Sequence, residues 1–187
     1  SALLYQKRSS EAVDVLRSLH QRNPLSSRYF KNLILCQLVS EEFVDLLVTA
    51  RKREESGFLN SEEEGVARSL VAVALAELGE QGKAYEQIAI LRSRPQLANK
   101  AYIAEGDVLW RTKRDLTEVM QIYKKGLAAF PNDPYLQTVF ALHVGASTLD
   151  AAKETVPVLE SLDKIRQLAP EEYQLLVRGY LLLDLPE

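Results

Sequence analysis

Cysteine, histidine and glycine are scarce in this chain of 187 residues, and each scarcity removes a class of function. The one cysteine, Cys36, cannot form an internal disulfide, so a disulfide-stapled secreted module is excluded. The only histidines are His20 and His143, there is no His-Glu-x-x-His, and no Cys or His pair has zinc-ligand spacing. The 8 glycines are spread thinly and form neither Gly-x-Gly-x-x-Gly nor a phosphate-binding loop ending in Gly-Lys-Ser/Thr. Long apolar runs are missing too. Leu70 to Ala76 is the longest, far short of the roughly 20 residues a helix needs to cross a bilayer. A basic excess is also absent. The net charge of -3 argues against general nucleic-acid binding, which needs clustered positive charge to neutralise phosphates. These absences predict no enzyme, no metal, no cofactor and no nucleic-acid partner. No signal peptide is visible, and nothing chooses between the cytoplasm and a bacterial periplasm.

What the sequence does carry is helical periodicity. Apolar residues recur at spacings of three and four, as in Ala12, Val13, Leu16 and Leu19, or Val119, Ile122, Tyr123 and Leu127. Start signals agree: Asp115 with Glu118, Ser61 with Glu64, and Asp133 before Pro134, which stands where its missing N–H is harmless. Strand signals are scarce. Two segments break the rhythm. Arg51 to Glu63 is charged and holds Gly57, and reads as an exposed connection with Phe58 and Leu59 tucked against a neighbour. Gly145 to Val156 is the other; Pro157 predicts a new helix starting there or a kink.

The helices repeat. Ala12, Leu16 and Pro24 share their spacing with Val119, Tyr123 and Pro131 and with Val158, Leu162 and Pro170; Ala84, Ile88 and Pro95 do so with one residue fewer. The helix before each such set carries a small residue at mid-length with an apolar one three later: Cys36 and Val39, Ala72 and Leu75, Gly106 and Leu109, Ala141 and Val144, Gly179 and Leu182. The expected layout is a helix end at 1–8 with its partner at 9–22, hairpins at 26–53, 63–94, 98–130 and 134–169, and a last helix at 171–184.

With that pattern the chain resembles the tetratricopeptide repeat family. Asp115 to Asp133, DLTEVMQIYKKGLAAFPND, is the best single match, and Ala74 to Pro95, ALAELGEQGKAYEQIAILRSRP, is the next. No helix keeps the family's Leu-Gly pair, and Val119 and Val158 stand where the family has alanine. The resemblance implies an all-α fold: a right-handed α-α superhelix of about four full hairpins with partial repeats at both ends. Residues 1–187 then form a single solenoid domain, expected to be a fragment of a longer repeat array. It also implies a protein-protein interaction scaffold in a multi-subunit assembly. In the family, first helices line a concave groove that takes a partner helix or extended peptide. Carrying that register over names Val66, Ser69, Val73, Ala76, Ile103, Asp107, Arg111, Tyr135, Thr138 and Leu142 as groove residues, followed by Tyr173 and Tyr180.

Other features have plainer readings. His20 and His143 take structural roles, Cys36 packs in the core, and Glu62 to Glu64 open a helix where negative charge is favourable. Arg51 to Arg53 and Arg111 to Arg114 are solvated helix ends. The Lys, Asn and Arg set with which chaperone-binding relatives clamp a carboxylate is missing; Lys31-Asn32 is the nearest fragment. Tyr180, Leu181, Leu182, Leu183 and Leu185 make an apolar last helix, which predicts self-association or a continuing array. Two alternatives share the architecture. One is a regulatory or substrate-binding segment of a larger enzyme. The other is a bacterial envelope assembly factor in secretion, pilus biogenesis or polysaccharide export, and a eukaryotic adaptor fits the residues equally.

Overall fold

The computed structural model describes residues 2–113, 115–145 and 148–184, and for residues 2–7 and 9 the helix alone. Every long element among them is an α-helix: α1 (Ala2–Arg22), α2 (Ser27–Val39), α3 (Phe43–Glu55), α4 (Ser61–Glu77), α5 (Gln81–Ser93), α6 (Ala98–Thr112), α7 (Leu116–Ala129), α8 (Pro134–Val144), α9 (Leu149–Ile165) and α10 (Pro170–Leu183). A single 3-10 turn, Pro95–Leu97, precedes α6. From α2 onward the expected boundaries lie within about two residues of the observed ones, except that the hairpin expected to end at 169 ends with α9 at Ile165. The first expected break does not occur, because α1 runs unbroken through residues 8 and 9. No helix of the described residues is long and apolar enough to cross a membrane.

The helix starts follow from short polar side chains. Ser26 accepts from the Tyr29 N–H, Asp133 from Leu136 and Thr148 from Ala151, each satisfying a donor that the helix leaves open. Asp115 accepts from both Thr117 and Glu118, while the Glu118 carboxylate turns to Lys113 instead of closing a reciprocal box. At α4 the expected cap, Ser61 with Glu64, lies one residue late. Asn60 accepts from the Glu63 N–H, and the Glu63 carboxylate accepts from the Asn60 N–H.

Two of the turns are built alike. After α2, the N–H groups of Ser40, Glu41 and Glu42 donate to the carbonyls of Cys36, Leu38 and Gln37. After α4, those of Leu78, Gly79 and Glu80 donate to Ala74, Ala76 and Leu75. The middle residue is left-handed in both, with φ of 61° at Glu41 and 81° at Gly79.

The chain divides into two compact units, residues 1–112 and 113–187, so the stretch expected as the hairpin 98–130 spans the division. In the first unit each helix packs on its sequence neighbour from α1 to α6, the 3-10 turn touches α4, α5 and α6, and α4 additionally touches α2 and α6. Its core joins Phe30, Ile34, Leu46, Ala72, Ile88 and Ala104 among others. Gly65 allows the close approach of α4 to the next hairpin: a Cβ there would lie 3.1 Å from Leu97. In the second unit α7 packs on α8, α8 on α9, α9 on α10, and α10 returns to α8. The core there includes Ala141, Val156, Leu159, Leu162, Leu168 and Leu176.

Pro157 lies inside α9, which begins at Leu149 and continues to Ile165. No new helix starts at the proline, and most of the described part of 145–156 is helical. Pro157 and Lys153, whose carbonyl loses its helical donor, are both exposed, so water can serve that carbonyl.

Candidate functional site

The repeat positions are buried in part: Ala12, Leu16 and Val158 are half-buried. Ala84, Ile88, Val119, Tyr123 and Leu162 are buried, as are the mid-helix small residues Ala72, Gly106, Ala141 and Gly179. Cys36 is half-buried, and burial pushes its thiol pKa up, away from the reactive thiolate.

The groove residues separate into two sets. Ser69, Val73, Ala76 and Ile103 are buried, Val73 at 1 % exposure, and Ser69 closes onto the Gly65 carbonyl at 2.8 Å. These four serve the interior and present no surface to a partner. α4 is wedged among α2, α3, α5 and α6, so most of its circumference is covered. Val66 and Asp107 are half-buried, and Arg111 donates to Glu77 at 2.9 Å. Tyr135 and Leu142 on α8 are exposed, as are Tyr173 and Tyr180 on α10. Thr138 lies between them in chemistry as well as place: its hydroxyl bonds Glu172 at 3.0 Å and accepts from Arg166 at 2.8 Å.

That polar knot joins α8 to α10. Arg166 donates to both Glu172 oxygens, at 2.6 and 2.9 Å, and Glu172 also accepts from the Ala169 N–H at 2.7 Å. Burial would raise the Glu172 pKa, but the hydrogen bonds from Arg166, Ala169 and Thr138 outweigh it and hold it below the ordinary value. Beyond the knot, α10 exposes Tyr173, Val177 and Leu181 at intervals of four, with Val177 at 57 % and Leu181 at 64 %. On α8, Tyr135 and Leu142 are one heptad apart. Leu185 falls outside the described residues.

A second constellation was illegible as a site. Arg53, expected at a solvated helix end, and Glu63, expected at an open helix start, form a buried pair at 2.8 Å with side chains 4 % and 0 % exposed. Arg53 also donates to the carbonyls of Pro24 and Leu25 and lies over the Phe30 ring, 5.4 Å from its centre. Burial pushes the Glu63 carboxyl up, but bonds from Arg53, Ser27 and Asn60 prevail and leave its pKa lowered. The only signal in the sequence was the Asn60–Glu63 capping pair, which turns Glu63 inward. The same charge reaches His20. Burial, then the Arg53 cation, lower the imidazole pKa of His20, which disfavours the cation that would suit the C-terminal dipole of α1. His143 bonds the Val139 carbonyl through Nδ1 at 2.9 Å and packs its ring against Tyr123, a structural placement. Leu59 packs on the core as expected, but Phe58 is exposed.

Beside this pair lies an open pocket of ≈ 540 Å³ among α1, α2 and α3, with Leu25, Leu33, Val48 and Phe58 in its walls. Among the described residues no group of three or more His, Cys, Asp or Glu could hold a metal ion. Arg114 of the second basic cluster lies outside the described residues. No protein-family model matches the chain, and neither does any curated protein or solved structure.

Proposed function

We propose that the chain is a non-catalytic protein-protein interaction scaffold of the tetratricopeptide type, a component of a multi-subunit assembly, and that it receives an amphipathic helix of a partner on α8 and α10. One observation carries this reading: the exposed apolar side chains of α10 and α8 recur at helical spacing on two helices that pack together. Apolar surface organised in this way suits the helix-in-groove mode, in which a partner inserts residues at i, i+3, i+4 and i+7. Solenoid architecture is supported by the order of packing. Within each compact unit every helix meets its sequence neighbour, and first helices of successive hairpins meet each other, α2 with α4 and α4 with α6 in one unit and α8 with α10 in the other. The matched turns after α2 and α4 point the same way.

Site-specific photo-crosslinking tests the surface. A crosslinker at Val177 is expected to capture a partner from the source lysate, whereas one at Val15, equally exposed on α1, is not. The double variant Leu142→Glu with Val177→Glu, checked for helicity by circular dichroism, is expected to lose the same partner. Equal capture at both positions, retention by the double variant, or capture of only a second copy of the chain would each overturn the proposal.

A further inference from the structure

The turn between α1 and α2 is tied to the helices beyond it by Arg53. From α3, its guanidinium donates to the carbonyls of Pro24 and Leu25 at 2.9 and 3.3 Å, and it is itself held by Glu63 of α4. Among the described residues of this unit, α2 is the one helix that packs on α1. Arg17 also reaches across to Glu42 and Asp45, but these are partly exposed ion pairs of little strength. His20, in the last turn of α1, stands beside the Arg53 tie. The two side chains share the Phe30 ring of α2: the His20 ring centre lies 6.2 Å from it and the guanidinium 5.4 Å.

His20 Nδ1 is sealed from solvent and has no hydrogen-bond partner. A neutral ring tolerates this, because Nδ1 can be its bare nitrogen. In the imidazolium both nitrogens carry hydrogen, so Nδ1 becomes a charged donor with no acceptor. His143 differs at this point, since its Nδ1 has the Val139 carbonyl at 2.9 Å. Neighbouring charges add to the cost. Arg17 stands one turn back on α1, α3 brings Arg53 and Lys52, and α2 contributes no charge to the pocket they line. Against these stand Asp45 of α3, held by Arg17 at 3.3 Å, Glu63 of α4, held by Arg53 at 2.8 Å, and the carbonyl end of α1. The balance lowers the His20 pKa, burial first and Arg53 second. A ring whose pKa is lowered in place binds protons better once released, so acid favours the released state.

We propose that His20 is a proton-operated latch: on taking up a proton it weakens the hold of Arg53 on the α1–α2 turn and frees the end of α1, uncovering the Phe30 side of α2 while the rest of the unit stays folded. The latch lies in the other compact unit from the α8 and α10 surface and stands independently of it.

The test is amide hydrogen exchange on the full chain, at about pH 7.5 and about pH 5.5, in the wild type and in His20→Phe. The variant keeps a ring that cannot titrate, and its rates at each pH supply the exchange chemistry common to both proteins. Amides from Leu16 to Ser26 of the wild type are expected to lose protection at the lower pH relative to the variant. The loss is at most about tenfold per pH unit, the steepest dependence that one proton allows. Amides of α5, in the same unit, and of α8 around His143 are expected to match in the two proteins. Should His20→Phe fold poorly, His20→Gln takes its place. Equal protection of wild type and variant from Leu16 to Ser26 at both pH values would overturn the latch. So would an acid loss that runs equally through α5, because that is unfolding of the whole unit.

Discussion

Arg53 and Glu63 show how a single contact can reverse the meaning of a charged residue. Each charge is worth burying only because the other is there, and because Pro24 and Leu25 accept further bonds from the guanidinium and Asn60 donates to the second carboxylate oxygen. Removing one partner leaves an uncompensated charge in the core. Arg53→Met is therefore expected to destabilise the fold by about 3–5 kcal/mol, read as a shift in the urea midpoint. A change under 1 kcal/mol would mean that water reaches the pair. Glu41 is the opposite case, a local strain without compensation. It holds a left-handed φ where the equivalent turn uses Gly79. A side chain in that region costs about 1–2 kcal/mol, and the extra freedom of glycine in the unfolded chain returns part of it. Glu41→Gly should stabilise by about 0.5–1 kcal/mol, and a loss of stability would show that the Glu41 side chain contributes something the turn geometry does not reveal.

Among the elements, α9 tolerates a proline that its sequence neighbours would not. An interior proline costs a helix about 3 kcal/mol, partly offset by stiffening of the unfolded chain. Here the position is exposed and the orphaned carbonyl can be hydrated. Pro157→Ala is expected to raise stability by about 2 kcal/mol in urea unfolding. If it does not, the proline sets a bend that the packing of α9 on α8 and α10 requires. The pairing of α8 with α10 has a different anchor. Thr138 on α8 and Glu172 on α10 are linked directly and through Arg166, so the pairing of the two helices rests on a polar knot and not on apolar packing alone.

For the whole molecule, each compact unit holds a buried carboxylate with a lowered pKa, Glu63 in one and Glu172 in the other. The sign of the linkage follows. A carboxyl whose folded pKa lies below its unfolded value contributes stability that is fully present above the unfolded value. That contribution is lost as the pH falls through the folded one. The ordinary value is 4.5, so stability should hold above that pH from these groups and decline below it. His20 adds an earlier decline. Its folded pKa is lowered from 6.5, so protons favour the unfolded chain as the pH drops below that value. Urea unfolding between pH 7.5 and 3 is expected to show both falls. Glu63→Gln should flatten only the acidic one, and an unaltered acid limb would place the linkage elsewhere.

The helices were legible because their signals are local. Three- and four-residue spacing, Asp133 before Pro134, and the Asp115 cap each act within a turn or two of the chain, so short-range physics determines them. The buried small residues were legible too, since a helix interface admits no bulk at its closest approach. The fates of Val73, Ile103, Arg53 and Glu63 were not legible. Whether an apolar face lines a groove or a core depends on how many neighbours cover it, and α4 has four. Whether a charge is solvated depends on what the fold brings from ten or thirty residues away. The sequence by itself determined that this chain is helical and where most of its helices from α2 onward begin. Only the tertiary structure decided which faces stay open, since solvent exposure is a property of the assembled neighbours and not of any one helix.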